Sequence, residues 1–261
     1  MIRSLWTGAT GMSTQQTNID VIANNLANVN TAGFKKSRAD FQELLYQVTR
    51  TPGSATSADT VSPTGIQVGL GSRTAAVQKV FSVGDLLGTE NELDVAIEGR
   101  GFFQVDMPDG TTAYTRSGAL KKDGDGRLAT SEGYLLEPQI VIPENTTSIS
   151  IGQDGSVDVF LDGESTPNQI GMIELAMFTN ESGLRSLGRN LYSETDSSGA
   201  PILGFPDEDG FGTLAQGFLE GSNVSVMEEM VNMIAGQRAY EVNSKSVKTS
   251  DEMLQMTNNL I

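Results

Sequence analysis

A chain of 261 residues can bury a real core as one large domain or two modest ones. It has 38% hydrophobic and 19% charged residues, no cysteine and no histidine, so thiol nucleophiles, disulfides, Cys-ligated zinc, the commonest general base and the commonest metal ligand are all missing. The net charge of −16 is carried by residues 51–221, with 9 basic against 25 acidic side chains, and so acidic a middle opposes the phosphate contacts that nucleic acid requires.

The opening MIRSLWTGATGM contains Arg3 but lacks the unbroken apolar run of a secretory signal, so no cleavable signal peptide is expected. No stretch approaches the roughly 20 apolar residues of a membrane span, and membrane insertion is not expected either. Leu5, Met12, Ile19 and Leu26 then fall seven apart, flanked by Ala9, Ile22, Ala23 and Val29, which predicts an amphipathic helix. Its end is expected near Asn30–Gly33, where NTAG has the character of a C-cap. Within it, NIDVIANNLANVN (residues 18–30) holds five asparagines, each up to about 0.7 kcal/mol worse than alanine in a helix. Such a helix is expected to form only when packed, with amides bonding between helices to fix their register.

Residues 47–65, QVTRTPGSATSADTVSPTG, are Ser, Thr, Gly and Pro without periodicity and read as a loop or an extended arm, marked by Pro52, Gly53, Pro63 and Gly65. All prolines lie between Pro52 and Pro206, so turns interrupt the middle and spare the ends. FFQVDMPDGTTAYTRSGAL, KKDGDGRLATSEGYLLEP and SISIGQDGSVDVFLDGES each place DG turns between short alternating runs, the pattern of β-hairpins. DGDGR (residues 123–127) fails as a calcium loop, because Arg127, Leu128 and Tyr134 stand where an EF-hand needs a ligand, a glycine and a glutamate. GRGFF (residues 99–103) has G-x-G without the third glycine of a dinucleotide site. Paired carboxylates are frequent in a chain this acidic and read as a solvated face.

The second helix is expected from Ser222, Asn223 and Ser225 as capping residues, with Glu228 and Glu229 in its first turn. Val226, Met233, Tyr240, Val247, Leu254 and Ile261 again fall seven apart, thickened by Met230 and Ile234. Gln15, Gln237 and Ser244 interrupt the seams, at a cost in stability and a gain in register. These seams can close in two ways: the helices pack on each other within one chain, or they pack between chains, and two neutral helices separated by nearly the whole chain, with the charge in the middle, favour the second.

The fold class expected is α+β, with long terminal helices forming a coiled-coil-like domain around a β-rich middle of short strands and tight turns. The divisions expected are residues 1–33 with 223–261 as a helical polymerisation domain, 34–65 as connector and arm, and 66–222 as the β-rich domain. The polymerisation interface comprises Leu5, Met12, Ile19, Ile22, Leu26, Val29, Val226, Met230, Met233, Tyr240, Val247 and Leu254. No catalytic residue, metal or cofactor is expected. A β-rich hydrolase using Asp/Glu pairs is the enzymatic alternative, and the missing histidine and motifs weigh against it.

NNLANVNTAGFK (24–35), LDVAIEGRGFFQV (93–105), AYTRSGAL (113–120) and EGSNVSVMEEMVNMIAGQRAYEVNSKSV (220–247) resemble, in that order, the bacterial flagellar rod and hook family. Leu120 departs from the aromatic residue usual there. The resemblance implies a structural axial protein, exported unfolded through the flagellar type III apparatus, whose terminal helices pack as a tube around a channel. It implies as partners further copies of the chain, proximal rod proteins, the hook or hook-side junction protein and the ring proteins that form a bushing. The arm at 47–65 favours the distal rod over the hook, whose middle region is much larger.

Overall fold

The computed structural model describes residues 2–53, 55–57, 60–61, 63–163, 166–208 and 210–258. It is α+β, with helices at both ends and a β-rich middle. The chain divides into two compact units: Met1–Leu26, Ser37–Gln78 and Ser225–Ile261 form the first, Ala27–Lys36 and Lys79–Val224 the second.

In the first unit α1 spans Ile2–Ala27 and α2 spans Val226–Asn258. α1 stops before the Asn30–Gly33 segment expected to end it. The chain instead turns through residues 28–33, where the Thr31 amide donates to the Asn28 carbonyl at 3.1 Å and Gly33 takes φ +71°. Ile261 lies outside the described residues. At the start of α2 the capping role falls to Ser225, whose carbonyl accepts from the Glu229 amide at 3.0 Å and whose Oγ accepts from that of Glu228 at 3.5 Å.

Between the helices the same unit holds a β-ribbon. Strand β1 (Ser37–Glu43) leads to β2 (Tyr46–Arg50), β3 (Ala55–Ser57), β4 (Thr60–Val61), β5 (Ile66–Gly69) and β6 (Ser72–Lys79). β2 pairs antiparallel with β5, β3 with β4, and β1 lies beside β6. The stretch expected as loop or arm is therefore a two-stranded ribbon over its described residues; positions 54, 58, 59 and 62 lie outside them. Backbone pairing, which no hydrophobic alternation announced, gives it its shape. At its base Gly65 is required, because a Cβ there would sit 2.6 Å from the Arg50 carbonyl oxygen.

The second unit is built on a nine-stranded sheet among the described residues. Its centre is the hairpin read from PDG, where Phe102–Asp106 pairs with Thr112–Thr115 and places Val105 opposite Ala113. Leu120–Lys122 with Leu128–Thr130, and Thr146–Ile151 with Ser156–Leu161, are likewise antiparallel pairs around the DG turns. The main core gathers Val95, Ile97, Phe103, Leu136, Val157, Val159 and Leu175. A second cluster stacks Phe81, Phe102, Tyr114, Phe178 and Tyr192 edge to face, with ring centroids 4.8–6.0 Å apart. In DGDGR the Arg127 guanidinium donates to Asp123 at 3.2 Å and Asp125 at 2.8 Å, filling with its own charge the place a cation would take.

Candidate assembly surface

α1 and α2 pack against each other and run antiparallel. Ser4 and Ser250 share a hydrogen bond of 3.0 Å, Gly11 meets Asn243, and Gly236 meets Asn18 and Ile19. Asn25 and Glu229 line one cleft at the far end. The facing positions are Ser4, Gly11, Asn18 and Asn25 on α1, and Glu229, Gly236, Asn243 and Ser250 on α2, each spaced by seven. Small and polar residues thus line the closest approach together with Ile19 and Val247 of the apolar sevenfold lines. Small residues set the distance: a Cβ on Gly8 would come within 2.8 Å of Val247 Cγ2, and one on Gly236 within 3.3 Å of Ile19 Cγ1.

The expected interface residues divide on this geometry. Ile22 is buried; Leu5, Met12, Ile19, Leu26, Val29, Met233, Val247 and Leu254 are half-buried; Val226, Met230 and Tyr240 are exposed. Ile234, which thickens the second line, is exposed too, and beyond these the helices expose large apolar side chains that the sevenfold reading passed over: Trp6 at 61%, Met227 at 75%, Val231 at 62% and Val242 at 65%, with Met253 and Met256. In the ribbon, Leu45, Tyr46, Val48, Ile66 and Val68 are exposed as well. The arm markers Pro52, Gly53 and Pro63 are exposed and Gly65 is half-buried. Met227, Met230, Val231 and Ile234, three and four positions apart, share one exposed face of α2.

Asn25 accounts for part of the asparagine run. It is buried, its Nδ2 donates to the Ser37 carbonyl at 2.9 Å, and its Oδ1 accepts from the Ser37 amide at 2.8 Å. The amide therefore anchors the start of β1; it does not bond helix to helix as expected.

Sequence reasoning missed the charged centre of the second unit. Glu220 is buried and accepts from Lys35 Nζ at 2.5 Å, from Arg116 Nε at 2.9 Å and from the Gly84 amide at 3.0 Å. Its own carbonyl accepts from the Gly33 amide at 2.7 Å. Arg116 also donates to the carbonyls of Gly99 at 2.9 Å and Gly101 at 2.7 Å, and Lys35 to that of Ser82 at 2.8 Å. The two glycines of GRGFF, at φ +125° and +138°, thus turn their carbonyls onto a guanidinium. Burial pulls the Lys35 pKa below the usual lysine value, aided by Arg116 and against the pull of Glu220. Burial pushes the Glu220 carboxyl up, but Arg116 and Lys35 outweigh it and leave it below its ordinary value. The signal available in the sequence was that four separated motifs each carried a charge or a Gly-x-Gly; here all four meet.

Three family models match the chain: the flagellar hook protein FlgE/F/G D1 domain over residues 96–159, the flagellar basal body rod FlgEFG protein C-terminal region over 215–260, and the flagella basal body rod protein over 5–35. The flagellar basal-body rod protein FlgG of Buchnera aphidicola subsp. Schizaphis graminum is 52% identical over 260 residues, covering 100% of both chains. That of Borreliella burgdorferi is 50% identical over 262 residues, covering 100% of this chain and 99% of its own. The flagellar hook protein FlgE of Helicobacter mustelae is 41% identical over 138 residues, 52% of this chain and 30% of that one.

Proposed function

We propose that this chain, which belongs to the flagellar basal-body rod protein family, is a structural subunit of the distal rod, polymerising into a stiff hollow tube that transmits torque and passes exported subunits. It is a structural protein, not an enzyme. The observation that carries the reading is the exposed apolar face of the helices, Trp6, Met227, Met230, Val231, Ile234 and Val242. A single chain leaves these side chains wet, and each is worth roughly 1.5–3 kcal/mol on full burial. The paired helices would act as a coiled-coil-like unit, supported by contacts that recur every seven residues, and neighbouring copies would cover the apolar face. The ribbon at 47–65 would lie between subunits and stiffen the tube. Proximal rod proteins, the hook or its junction protein and the ring proteins are the further partners this reading carries, with the basal body as its place; no described helix is long and apolar enough to cross a membrane. The hook reading is weaker, because the hook relative matches only half of this chain.

The test is Met227→Glu with Val231→Glu, two exposed positions on α2. Far-UV circular dichroism of the monomer should be unchanged, while sedimentable polymer and swimming motility are lost. Polymer formed at the wild-type level by this variant would refute the helix face as the assembly surface.

A further inference from the structure

The second unit carries a cleft that neither the charge cluster nor the helices account for. Glu137, Gln104, Tyr114 and Tyr192 stand directly opposite one another on four successive strands of the sheet, so their side chains share one face. Over this rank lies an open cleft of about 850 Å³, floored by Gln104 and Tyr114 and flanked by Glu137 and Glu194. A neighbouring hollow shares Gln104, Glu137 and Leu203 with it and adds Asp106 and Glu174.

The floor distinguishes this face from an ordinary solvated acidic surface. Tyr114 is 3% and Gln104 5% exposed, yet neither the phenol hydroxyl nor the side-chain amide makes a hydrogen bond among the described residues. Both line the cleft, and buried polar groups placed so take their partners from whatever fills it. Burial, with Glu194 and Glu137 beside it, pushes the Tyr114 pKa up to about 12, so at neutral pH the hydroxyl is uncharged and its oxygen can accept.

Charge selects the occupant. Asp106, Asp109, Glu137, Glu174 and Glu194 make no ion pair among the described residues, and the cleft's own cation, Arg185, is turned to Ser193 Oγ, 3.2 Å from its Nε. Leu187 and Leu203 are exposed on the wall, apolar surface on which the methylene stem of a long cationic side chain can lie. A second copy of the chain is a poor source of that side chain, because its residues 51–221 hold 9 basic against 25 acidic groups and are repelled. A guanidinium suits the site better than an ammonium, since its planar fork of donors meets a carboxylate and neighbouring neutral oxygens together.

We propose that this cleft seats a basic segment of a different protein, whose arginine side chains pair with Glu137 and Glu194 and donate to the Gln104 amide oxygen and the Tyr114 hydroxyl oxygen. Three strand spacings of about 4.8 Å separate Glu137 from Tyr192, so the rank is about 14 Å long and holds more than one guanidinium.

Full-length chain is titrated into dye-labelled tetra-arginine peptide and followed by fluorescence anisotropy at about 0.15 M salt, where attraction between distant charges is screened. Wild type should bind, and Glu137→Gln with Glu194→Gln should weaken binding by at least about tenfold. Glu144→Gln with Glu208→Gln removes the same charge from exposed positions of the same unit outside the cleft and should change binding by less than about twofold. Tyr114→Phe removes a hydroxyl that holds nothing within the chain, so the thermal midpoint should stay while binding falls about tenfold. Tetralysine should bind more weakly than tetra-arginine. Absence of binding by wild type, an equal loss in the control pair, or Tyr114→Phe binding at wild-type strength overturns the proposal, and tetralysine binding as tightly as tetra-arginine overturns the assignment to arginine.

Discussion

Replacing Glu220 by Gln keeps the shape of the side chain and strands two buried cations, Lys35 at 0% and Arg116 at 3% side-chain exposure. Removing one partner of a buried ion pair costs about 3–5 kcal/mol. Arg116 keeps the carbonyls of Gly99 and Gly101, and Lys35 keeps that of Ser82, so the expected loss lies toward the lower end, about 3 kcal/mol. At about 2–4 °C per kcal/mol for a unit of this size, Tm falls by roughly 6–12 °C. Urea unfolding followed by near-UV circular dichroism of Tyr114 and Tyr192, both in the second unit, measures the loss, while Trp6 fluorescence reports the first unit separately. Lys35→Met combined with Glu220→Gln should recover about 1–3 kcal/mol of the summed single losses, because the stranded ammonium is gone. The pH dependence follows from linkage. The Glu220 contribution is complete above the ordinary carboxylate pKa and disappears as pH falls through its lower native value, so wild type and Glu220→Gln converge in acid. Lys35 is also depressed, so between its native and ordinary pKa the unfolded chain binds more protons and stability rises with pH; Lys35→Met removes that rise. A Glu220→Gln loss below about 1 kcal/mol, or strict additivity in the double variant, refutes the account of the cluster as a coupled buried network.

Gly33→Ala adds a Cβ 2.7 Å from the Ser117 amide nitrogen at φ +71°; left-handed backbone at about 1–2 kcal/mol and overpacking at about 1–3 kcal/mol should together lower the urea midpoint of the second unit. Asn25→Leu leaves both polar groups of Ser37 without their partner at about 1–3 kcal/mol each, whereas Asn25→Asp keeps the acceptor and should lose roughly half as much by thermal unfolding of the first unit. Gly8→Val drives a branched side chain into Val247 and should cost about 1–3 kcal/mol, read as an earlier loss of the helical signal on heating.

Element types were legible where one local rule governed them. The apolar sevenfold lines gave both helices, and each DG turn gave a hairpin, because periodicity and turn chemistry act over a few residues. The ribbon at 46–69 was not legible as strands: Tyr46, Val48, Ile66 and Val68 are exposed, and its pairing is held by backbone hydrogen bonds that leave no trace in side-chain order. The end of α1 was placed too late because Val29 continued the apolar spacing, while Asn28 and Thr31 closed a turn instead. The charge cluster was out of reach because Lys35, Arg116 and Glu220 are separated by 81 or more positions, and no local pattern marks a side chain whose partners come only with the tertiary fold.

The asparagine-rich stretch shows most sharply how one periodicity can hide another. Leu5, Met12, Ile19 and Leu26 draw the eye as the seam, yet Ser4, Gly11 and Asn18, one residue earlier each time, meet α2 as well, beside Ile19 on Gly236. A seam that mixes glycine, serine and amides with Ile19 and Val247 buries less apolar area than a wholly apolar one, so pairing of the two helices draws less stabilisation from the hydrophobic effect. Its merit is close approach and defined register, both supplied by residues too small or too polar to bind strongly elsewhere. The larger side chains, Met227, Val231, Ile234 and Val242, are left on the outside. A chain so arranged packs its helices against each other and leaves much of its large apolar surface exposed. Two of the weak helix formers, Asn18 and Asn243, meet the opposite helix, and under the assembly proposed above the exposed apolar side chains would be the ones that neighbouring copies cover.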